Sequence, residues 1–306
     1  MKRSVILLAA ALLAAGLAAA QPGAKKHVLV FGLTRGFHHD SVTNAMASVW
    51  RLGRESGVWD TEISTDPGII HLAEKPGGGF TPLNLANFDA VVFASTTGEL
   101  PFDDQQKKDL LTFVHDQGKG FVGIHAALDC NYKWPEYADM IGGWFDGHPW
   151  NTFDAPVIVE DSSFPATRHF AKSFRIRDEI YQPKEWSRDK VNVLMRLDDS
   201  KLDLTRQHLR ADHDWAIAWS KMYGKGRVFH TTLGHDVAAM SCVGFATTFQ
   251  RGAEWAATGK VKQKVPRDFP TADKAMTRPE YNPPAGWTSP GGAPKKPAAP
   301  PAPKQN

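Results

Sequence analysis

Histidines follow three of the segments that the sequence predicts to be buried strands. His125 comes directly after the glycine-bounded apolar run at residues 118–124, and His39 and His235 lie just beyond two further runs. In an open, mostly parallel α/β sheet, ligands bind outside the carboxyl ends of the strands, so we expect these imidazoles at one edge of the sheet. Imidazole binds divalent metals and transfers protons near neutral pH. The pattern therefore predicts a catalytic or metal-binding edge.

Further candidates come from two other segments. His148 lies in a glycine-rich, aromatic segment, residues 142–150, which we interpret as a loop whose tryptophans face a ligand or partner. In another segment the alternation of a strand places Glu179 and Tyr181 on one face. Each candidate also has an ordinary structural explanation, as a buried histidine, a surface carboxylate or an aromatic core. Their joint occurrence favours a functional site.

The elements that must position these residues alternate between strands and helices in the first half of the chain. Predicted strands cover residues 27–33, 59–64, 88–95 and 118–125, and amphipathic helices cover 41–55 and 103–117. Short strands at 155–160, 174–182, 191–197, 214–220 and 226–231 follow, then a helix at 240–258. This order predicts an α/β fold with a doubly wound, mostly parallel sheet sandwiched by helices and with antiparallel additions in the C-terminal half.

Both ends of the chain differ in composition from the middle. Lys2 and Arg3 precede an apolar run and the small residues Ala18–Ala20, which predicts a cleavable signal peptide over 1–20 and a periplasmic or secreted protein. The run is shorter than the roughly 20 residues of a membrane span, so we expect no stable membrane insertion after cleavage. Residues 21–260 form the predicted domain, and the Pro/Ala/Lys-rich residues 261–306 form a predicted disordered tail.

The overall composition excludes some classes of function. The 306 residues are 42% hydrophobic and 23% charged with a formal net charge of +3, and no basic stripe resembles a nucleic-acid interface. Cys130 and Cys242 are the two cysteines. In an oxidising compartment they form a disulfide or stay free, and the sequence leaves both alternatives open. A homo-oligomer also stays an open alternative.

Six motifs in order resemble those of the ThuA-like, or trehalose-utilisation, proteins over about residues 26–259. The motifs are Gly36–Ser41, Gly123–Ala126, Asp129 with Trp134, Phe145–Pro149, Asp178–Tyr181 and Tyr223–His235. This resemblance implies a class I glutamine amidotransferase-like fold. In those amidotransferases a nucleophilic cysteine follows the equivalent strand, whereas this chain has His125 there and Cys130 five residues later. We therefore do not expect amidotransferase chemistry.

The resemblance implies a small-molecule carbohydrate substrate, particularly a glycoside or disaccharide oxidised at C3. By motif, the family histidines correspond to His39, His125, His148 and His235, which with one carboxylate suit a divalent metal ion. The predicted catalytic residues are His125, Glu179 and Asp129. A base that removes the acidified C2 proton would allow the anomeric substituent to leave.

Aromatic side chains are predicted to bind the sugar. Trp134, Trp144 and Trp150 are candidates for stacking on a sugar face, with Tyr181 beside them. The alternative function is a non-catalytic sugar-binding or scaffold domain on the same fold, which needs stacking and hydrogen bonds but no cluster of imidazoles. Glycoside hydrolysis by a carboxylate pair is less favoured, because no pair of acids stands out among the motifs.

Overall fold

The computed structural model describes residues 24–72 and 83–278. The strands are β1 (Lys26–Phe31), β2 (Trp59–Ser64), β3 (Ala90–Ala94), β4 (Gly120–Ile124), β5 (Trp144–Gly147), β6 (Thr152–Val159), β7 (Ser173–Glu179), β8 (Gln182–Lys184), β9 (Asn192–Leu197), β10 (Ala216–Tyr223) and β11 (Gly226–Thr231). The helices are α1 (Val42–Ser56), α2 (Asp104–His115), α3 (Pro135–Ile141), α4 (Val237–Met240) and α5 (Val243–Thr258). The predicted signal peptide lies outside the described residues.

A nine-stranded sheet forms the centre of the molecule, in the order β2-β1-β3-β4-β11-β10-β9-β6-β7. The first five strands in this order are parallel to their neighbours. The remaining pairings are antiparallel. This arrangement confirms the predicted fold class, including the antiparallel additions in the C-terminal half.

Helices cover both faces of the sheet and bury two apolar cores. Successive strand residues point to opposite faces, so Val30 packs on the side of α1 and α5 while its neighbour Leu29 packs on the side of α2 and α3. Val92 and Val91 in β3 divide in the same way. Strands that are buried on both faces need continuous apolar runs, which explains why these strands were visible in the sequence.

The sheet curls strongly in its antiparallel half. Five strand spacings separate β4 from β7, which would be about 24 Å in a flat sheet. Nevertheless, the Oε2 atom of Glu179, at the end of β7, lies 3.7 Å from Nε2 of His125, directly after β4. Since β7 runs in the same direction as β4, the curl brings two carboxyl ends to one place.

Residues 261–278, the first part of the predicted tail, pack against the domain, whereas residues 279–306 lie outside the described residues. Phe269 packs its ring 4.4 Å from that of Phe170 and 5.1 Å from that of Phe174. The backbone carbonyl of Met276 accepts a hydrogen bond from the N–H of Val243 at the start of α5. This short segment has enough apolar side chains to cover part of the core. The Pro/Ala/Lys-rich composition of residues 261–306 as a whole did not indicate this packing.

The larger differences from the predicted elements concern β5, β8 and the helices α3 to α5. Residues 142–150, predicted as a loop, contain β5, which pairs with β8. The strand predicted over 174–182 is divided into β7 and β8. The helix predicted over 240–258 begins at Val243 as α5, with the short helix α4 before it, and α3 was not predicted. Among the described residues, no helix has both the length and the apolarity to cross a membrane.

Candidate metal and catalytic site

Four side chains from distant parts of the chain meet at the carboxyl edge of the sheet. His39 follows β1, His125 follows β4, Glu179 ends β7 and His235 follows β11. One potential ligand atom from each lies within 4.8 Å of the others. We call these four residues the histidine–glutamate cluster.

His125 is held in a fixed orientation and tautomer. It is fully buried, and its backbone has a φ of +44°, a left-handed conformation that is strained for a residue with a Cβ. Its Nδ1 lies 2.6 Å from the carbonyl oxygen of Thr232. A carbonyl only accepts hydrogen bonds, so Nδ1 carries the proton and Nε2 keeps a lone pair directed at the cluster. Burial, with the nearby histidines His39 and His235, holds the pKa of His125 well below its usual value, so the ring stays neutral.

Glu179 and His235 complete the inner part of the cluster. Nδ1 of His235 lies 3.0 Å from Glu179 Oε2 and 3.2 Å from His125 Nε2. Burial alone lowers the pKa of His235, but the hydrogen bond and charge of Glu179 outweigh it, so the pKa is raised. The Glu179 side chain is only 8% exposed, so its charge acts on the cluster with little screening by water.

His39 contributes a buried nitrogen. Its Nε2 lies 3.2 Å from the hydroxyl oxygen of Tyr181, and its buried Nδ1 has no hydrogen-bond partner among the described residues. When Nε2 donates its proton to that hydroxyl, Nδ1 holds a lone pair. Burial, with a smaller contribution from His235, lowers the pKa of His39 to about 4.

Asp178 fixes the backbone that carries two members of the cluster. Its fully buried carboxylate accepts hydrogen bonds from the backbone N–H groups of Glu179 at 2.8 Å, Gly234 at 2.7 Å and His235 at 3.1 Å. Burial raises the pKa of Asp178 to about 7, and the three N–H donors act in the opposite direction. The carboxylate therefore ties the end of β7 to the segment after β11.

The donor types of the cluster suit a divalent metal ion, and the spacing of three of them, His125, Glu179 and His235, is close to that of metal ligands. Two ligands bound at about 2.0 to 2.1 Å from zinc, at angles between 90° and 109°, lie about 2.9 to 3.4 Å apart. The His125–His235 and His235–Glu179 distances are in that range, and the 3.7 Å separation of His125 and Glu179 is slightly longer. Metal-binding histidines usually donate their second ring N–H to a carbonyl or carboxylate, as His125 does to Thr232.

Comparison with known proteins gives the family. The family model described as ThuA, trehalose utilisation, matches residues 27–256. The chain belongs to the ThuA family. Membership indicates a carbohydrate-related role.

Solved structures agree with the fold of this ThuA chain. A ThuA-like protein from Parabacteroides merdae is 23% identical with a TM-score of 0.65, covering 85% of this chain and 100% of its own. A ThuA-like protein from Bacteroides uniformis is 20% identical with a TM-score of 0.63, covering 81% of this chain and 97% of its own. No curated protein sequence matches the chain.

His148, predicted as a fourth metal-binding histidine of this ThuA chain, lies outside the cluster. Its side chain is 41% exposed, and its Nδ1 lies 3.4 Å from Glu179 Oε1 and 3.2 Å from Asn151 Oδ1. It therefore contacts the outer oxygen of the same carboxylate whose inner oxygen faces His235. Sequence order could not distinguish these positions, because His148 follows β5, which is outside the main sheet.

Asp129, predicted as catalytic, is also outside the cluster. Its carboxylate accepts a 2.6 Å hydrogen bond from the hydroxyl of Tyr132. Burial raises its pKa, although that hydrogen bond acts in the opposite direction. Tyr181, predicted to bind the substrate, does reach the cluster, with its ring centroid 4.1 Å from that of His125.

The predicted stacking tryptophans of this ThuA chain are buried. Trp134, Trp144 and Trp150 are only 5%, 6% and 7% exposed. Trp134 packs against Tyr137, and Trp150 packs edge-on against Trp215. Because neighbouring side chains pack beside them, these rings expose little surface to a ligand, and their binding of sugar stays a prediction.

Phe37 is an exposed aromatic side chain beside the cluster that was not among the predicted site residues. It is 65% exposed, and its ring centroid lies 4.7 Å from that of His39. Thr97 holds the turn by donating its hydroxyl to the Phe37 carbonyl at 2.7 Å. Gly98, with a φ of +74°, allows this approach, since a Cβ there would lie 2.5 Å from the backbone of Arg35.

Both cysteines are free thiols on opposite sides of the sheet. Cys130 belongs to the core under α2 and α3, and Cys242 to the core under α1 and α5. Burial raises the pKa of each thiol to about 12. Neither is a disulfide partner, and neither has the depressed pKa of a nucleophilic thiolate.

Proposed function

We propose that this ThuA-family protein binds a divalent metal ion at the histidine–glutamate cluster and acts on 3-keto glycosides or disaccharides by proton abstraction and elimination or hydrolysis. The observation that carries the proposal is the His125 hydrogen bond to the Thr232 carbonyl, which directs a neutral Nε2 lone pair at Glu179 and His235. Nδ1 of His39, which is buried and has no hydrogen-bond partner among the described residues, is a second nitrogen that could bind the ion.

His39, His125, Glu179 and His235 would hold the ion. When bound, a divalent ion supplies positive charge close to the ketone oxygen, which becomes negative as the C2 proton leaves. Tyr181 orients His39 through its hydroxyl, and Asp178 orients Glu179 and His235 through their backbone.

His148 is positioned to move the proton. It is a partly exposed imidazole at the mouth of the site. Asn151 Oδ1 accepts a hydrogen bond from its Nδ1 at 3.2 Å, with Glu179 Oε1 3.4 Å from the same nitrogen, so Nε2 holds the lone pair that can accept a proton. In the proposed step Nε2 takes the C2 proton, and the C2–H electron pair moves into the adjacent C2–C3 bond. As the C3 carbonyl re-forms, C1 and C2 become doubly bonded and the C1–O bond breaks. The His148 imidazolium then returns its proton to the leaving oxygen, and water adds to the product in the hydrolytic variant.

Metal content tests the first part of the proposal. Elemental analysis and chelator competition are expected to find one divalent ion per chain, and His125→Ala and His235→Ala are each expected to lower metal affinity by about 10-fold or more. His230→Leu is the matched control, because His230 is a fully buried histidine on β11 outside the cluster. Equal metal content in all three variants would contradict the proposal.

Turnover tests the second part. We expect consumption of a 3-keto-disaccharide, exchange of its C2 hydrogen in D₂O, and no turnover of the unoxidised sugar. His148→Gln is expected to lower turnover by about 100-fold with unchanged metal content, the usual range for loss of an acid–base residue. Sugar binding without exchange or turnover would support the non-catalytic alternative. The exported location stays a prediction from residues 1–20.

A further inference from the structure

A cleft with several polar side chains in its lining lies beside the histidine–glutamate cluster and includes His148. It lies between residues 146–151 and residues 205–208 and has a volume of about 580 Å³. His148 is shared by both sites, since it lines the cleft and its Nδ1 lies 3.4 Å from Glu179. A ligand that passes over this imidazole would therefore occupy both.

Buried side chains hold the outer wall of the cleft in place. Gln182, only 2% exposed, donates from Nε2 to the carbonyl of His208 at 2.7 Å. Its Oε1 accepts hydrogen bonds from the N–H of Arg210 and the indole N–H of Trp215, both at 3.3 Å. The indole N–H of Trp150 donates to the carbonyl of Asp203 at 3.0 Å. These bonds tie the segment around residues 203–210 to the elements that carry His148 and Glu179.

The lining of the cleft suits a neutral polyhydroxylated ligand. Asn151, Thr205 and Gln207 offer amide and hydroxyl groups. The charged side chains of the lining are Asp146 and Arg206, and Arg206 is already paired with Asp203 at 3.1 Å. One carboxylate and one neutralised guanidinium do not favour an anion such as a phosphate.

We propose that this cleft binds the second saccharide unit of a disaccharide or longer glycoside while the oxidised ring lies at the cluster. This inference rests on the proposed function and names the substrate class within it. A volume of about 580 Å³ lies within the range of small-ligand pockets. Because hydrogen bonds hold the segment around residues 203–210 in place, the cleft is formed before a ligand binds. A methyl glycoside of the same sugar would leave the cleft unused.

Filling the cleft tests the proposal. Thr205→Trp places a large ring in the cleft without touching the cluster, and Thr112→Trp is the matched control in a separate surface cleft beside α2. We expect Thr205→Trp to lower kcat/KM for the 3-keto-disaccharide by about 10-fold or more, through KM, and to leave the 3-keto methyl glycoside unchanged. Equal effects on both substrates, or the same loss in Thr112→Trp, would overturn the proposal.

A binding measurement separates this proposal from the proposed function. If wild-type protein turns over neither keto sugar, the proposed chemistry fails, and titration calorimetry with the unoxidised disaccharide and methyl glycoside decides about the cleft. The cleft proposal requires tighter binding of the disaccharide and loss of that difference in Thr205→Trp. Equal affinities, or no binding of either sugar, would refute it.

Discussion

Replacing Asp178 is expected to weaken folding and the site together. Asp178→Ala leaves three backbone N–H groups without their acceptor, those of Glu179, Gly234 and His235. Each lost acceptor for a buried donor costs about 1 to 3 kcal/mol, and partial relaxation makes about 3 to 6 kcal/mol a reasonable total. This is a large share of the roughly 5 to 15 kcal/mol that stabilises a domain.

Asp178→Asn keeps the shape of the side chain, so its effect on folding stability can be compared with its effect on metal affinity. Its carbonyl oxygen can still accept from two of the donors, while its NH₂ group opposes the third, so we expect a loss of about 1 to 3 kcal/mol. Metal affinity should fall by about 10-fold, because the backbone carrying Glu179 and His235 is no longer fixed.

Urea unfolding and chelator competition measure these two quantities. Asp154→Asn is the matched control, since Asp154 lies on the adjacent strand β6 with its side chain 63% exposed and pairs only loosely with Arg177 at 3.6 Å. We expect this control to change the free energy of unfolding by less than about 0.5 kcal/mol. The reasoning is refuted if Asp178→Asn matches Asp154→Asn in both measurements.

Three further predictions concern other parts of the molecule. Phe37→Leu should raise KM for the keto sugar by about 3- to 10-fold with unchanged metal content, because an aromatic contact contributes about 0.5 to 1.5 kcal/mol. Phe37→Trp keeps an aromatic ring and should have a KM close to that of wild type. Equal KM values in the two variants would contradict this prediction. Burial lowers the pKa of His230 from 6.5 to about 3, so the folded state excludes a proton that the unfolded chain binds, and stability is lost as pH falls from 6.5 towards 3. As pH falls through this range, the free energy of unfolding of His230→Leu should therefore decrease by about 1.4 kcal/mol less per pH unit than that of wild type. Parallel pH profiles of the two proteins would show that His230 does not cause this loss. Truncation after residue 260 should lower the melting temperature by several degrees, because Phe269 is partly buried against Phe170 and Phe174, and full burial of such a side chain contributes about 1.5 to 3 kcal/mol. An unchanged melting temperature would show that residues 261–278 add no stability.

Most strands of the parallel half were predictable because they are buried on both faces, whereas the edge strand β2 was predicted from its alternating pattern. Strands such as β3 leave continuous apolar runs, and β2 and β11 were predicted to the residue. His125 and His235 follow from the same pattern, since only one edge of a parallel sheet gathers their strands. The short strand β5 carries mixed residues and pairs away from the main sheet, so its sequence resembled a loop.

The rest of the site depends on packing that no local pattern encodes. The curl of the antiparallel strands decides that Glu179 joins the cluster while His148 stays outside. Burial of Trp150 and exposure of Phe37 are set by neighbours far away in sequence. The motif Asp178-Glu179 identified two acids but could not show that one binds backbone amides while the other faces the histidines.

The order of the strands has a consequence for how the site appears during folding. His39 and His125 belong to the first half of the chain, whereas Glu179 and His235 belong to the second, and β4 pairs with β11 across about a hundred residues. Contacts of such long sequence separation form slowly, because the loop-closure entropy must be overcome first. A nascent or half-folded chain therefore presents only isolated imidazoles. A ligand that needs all four side chains therefore binds only to the fully folded protein, so its binding would report the completion of folding.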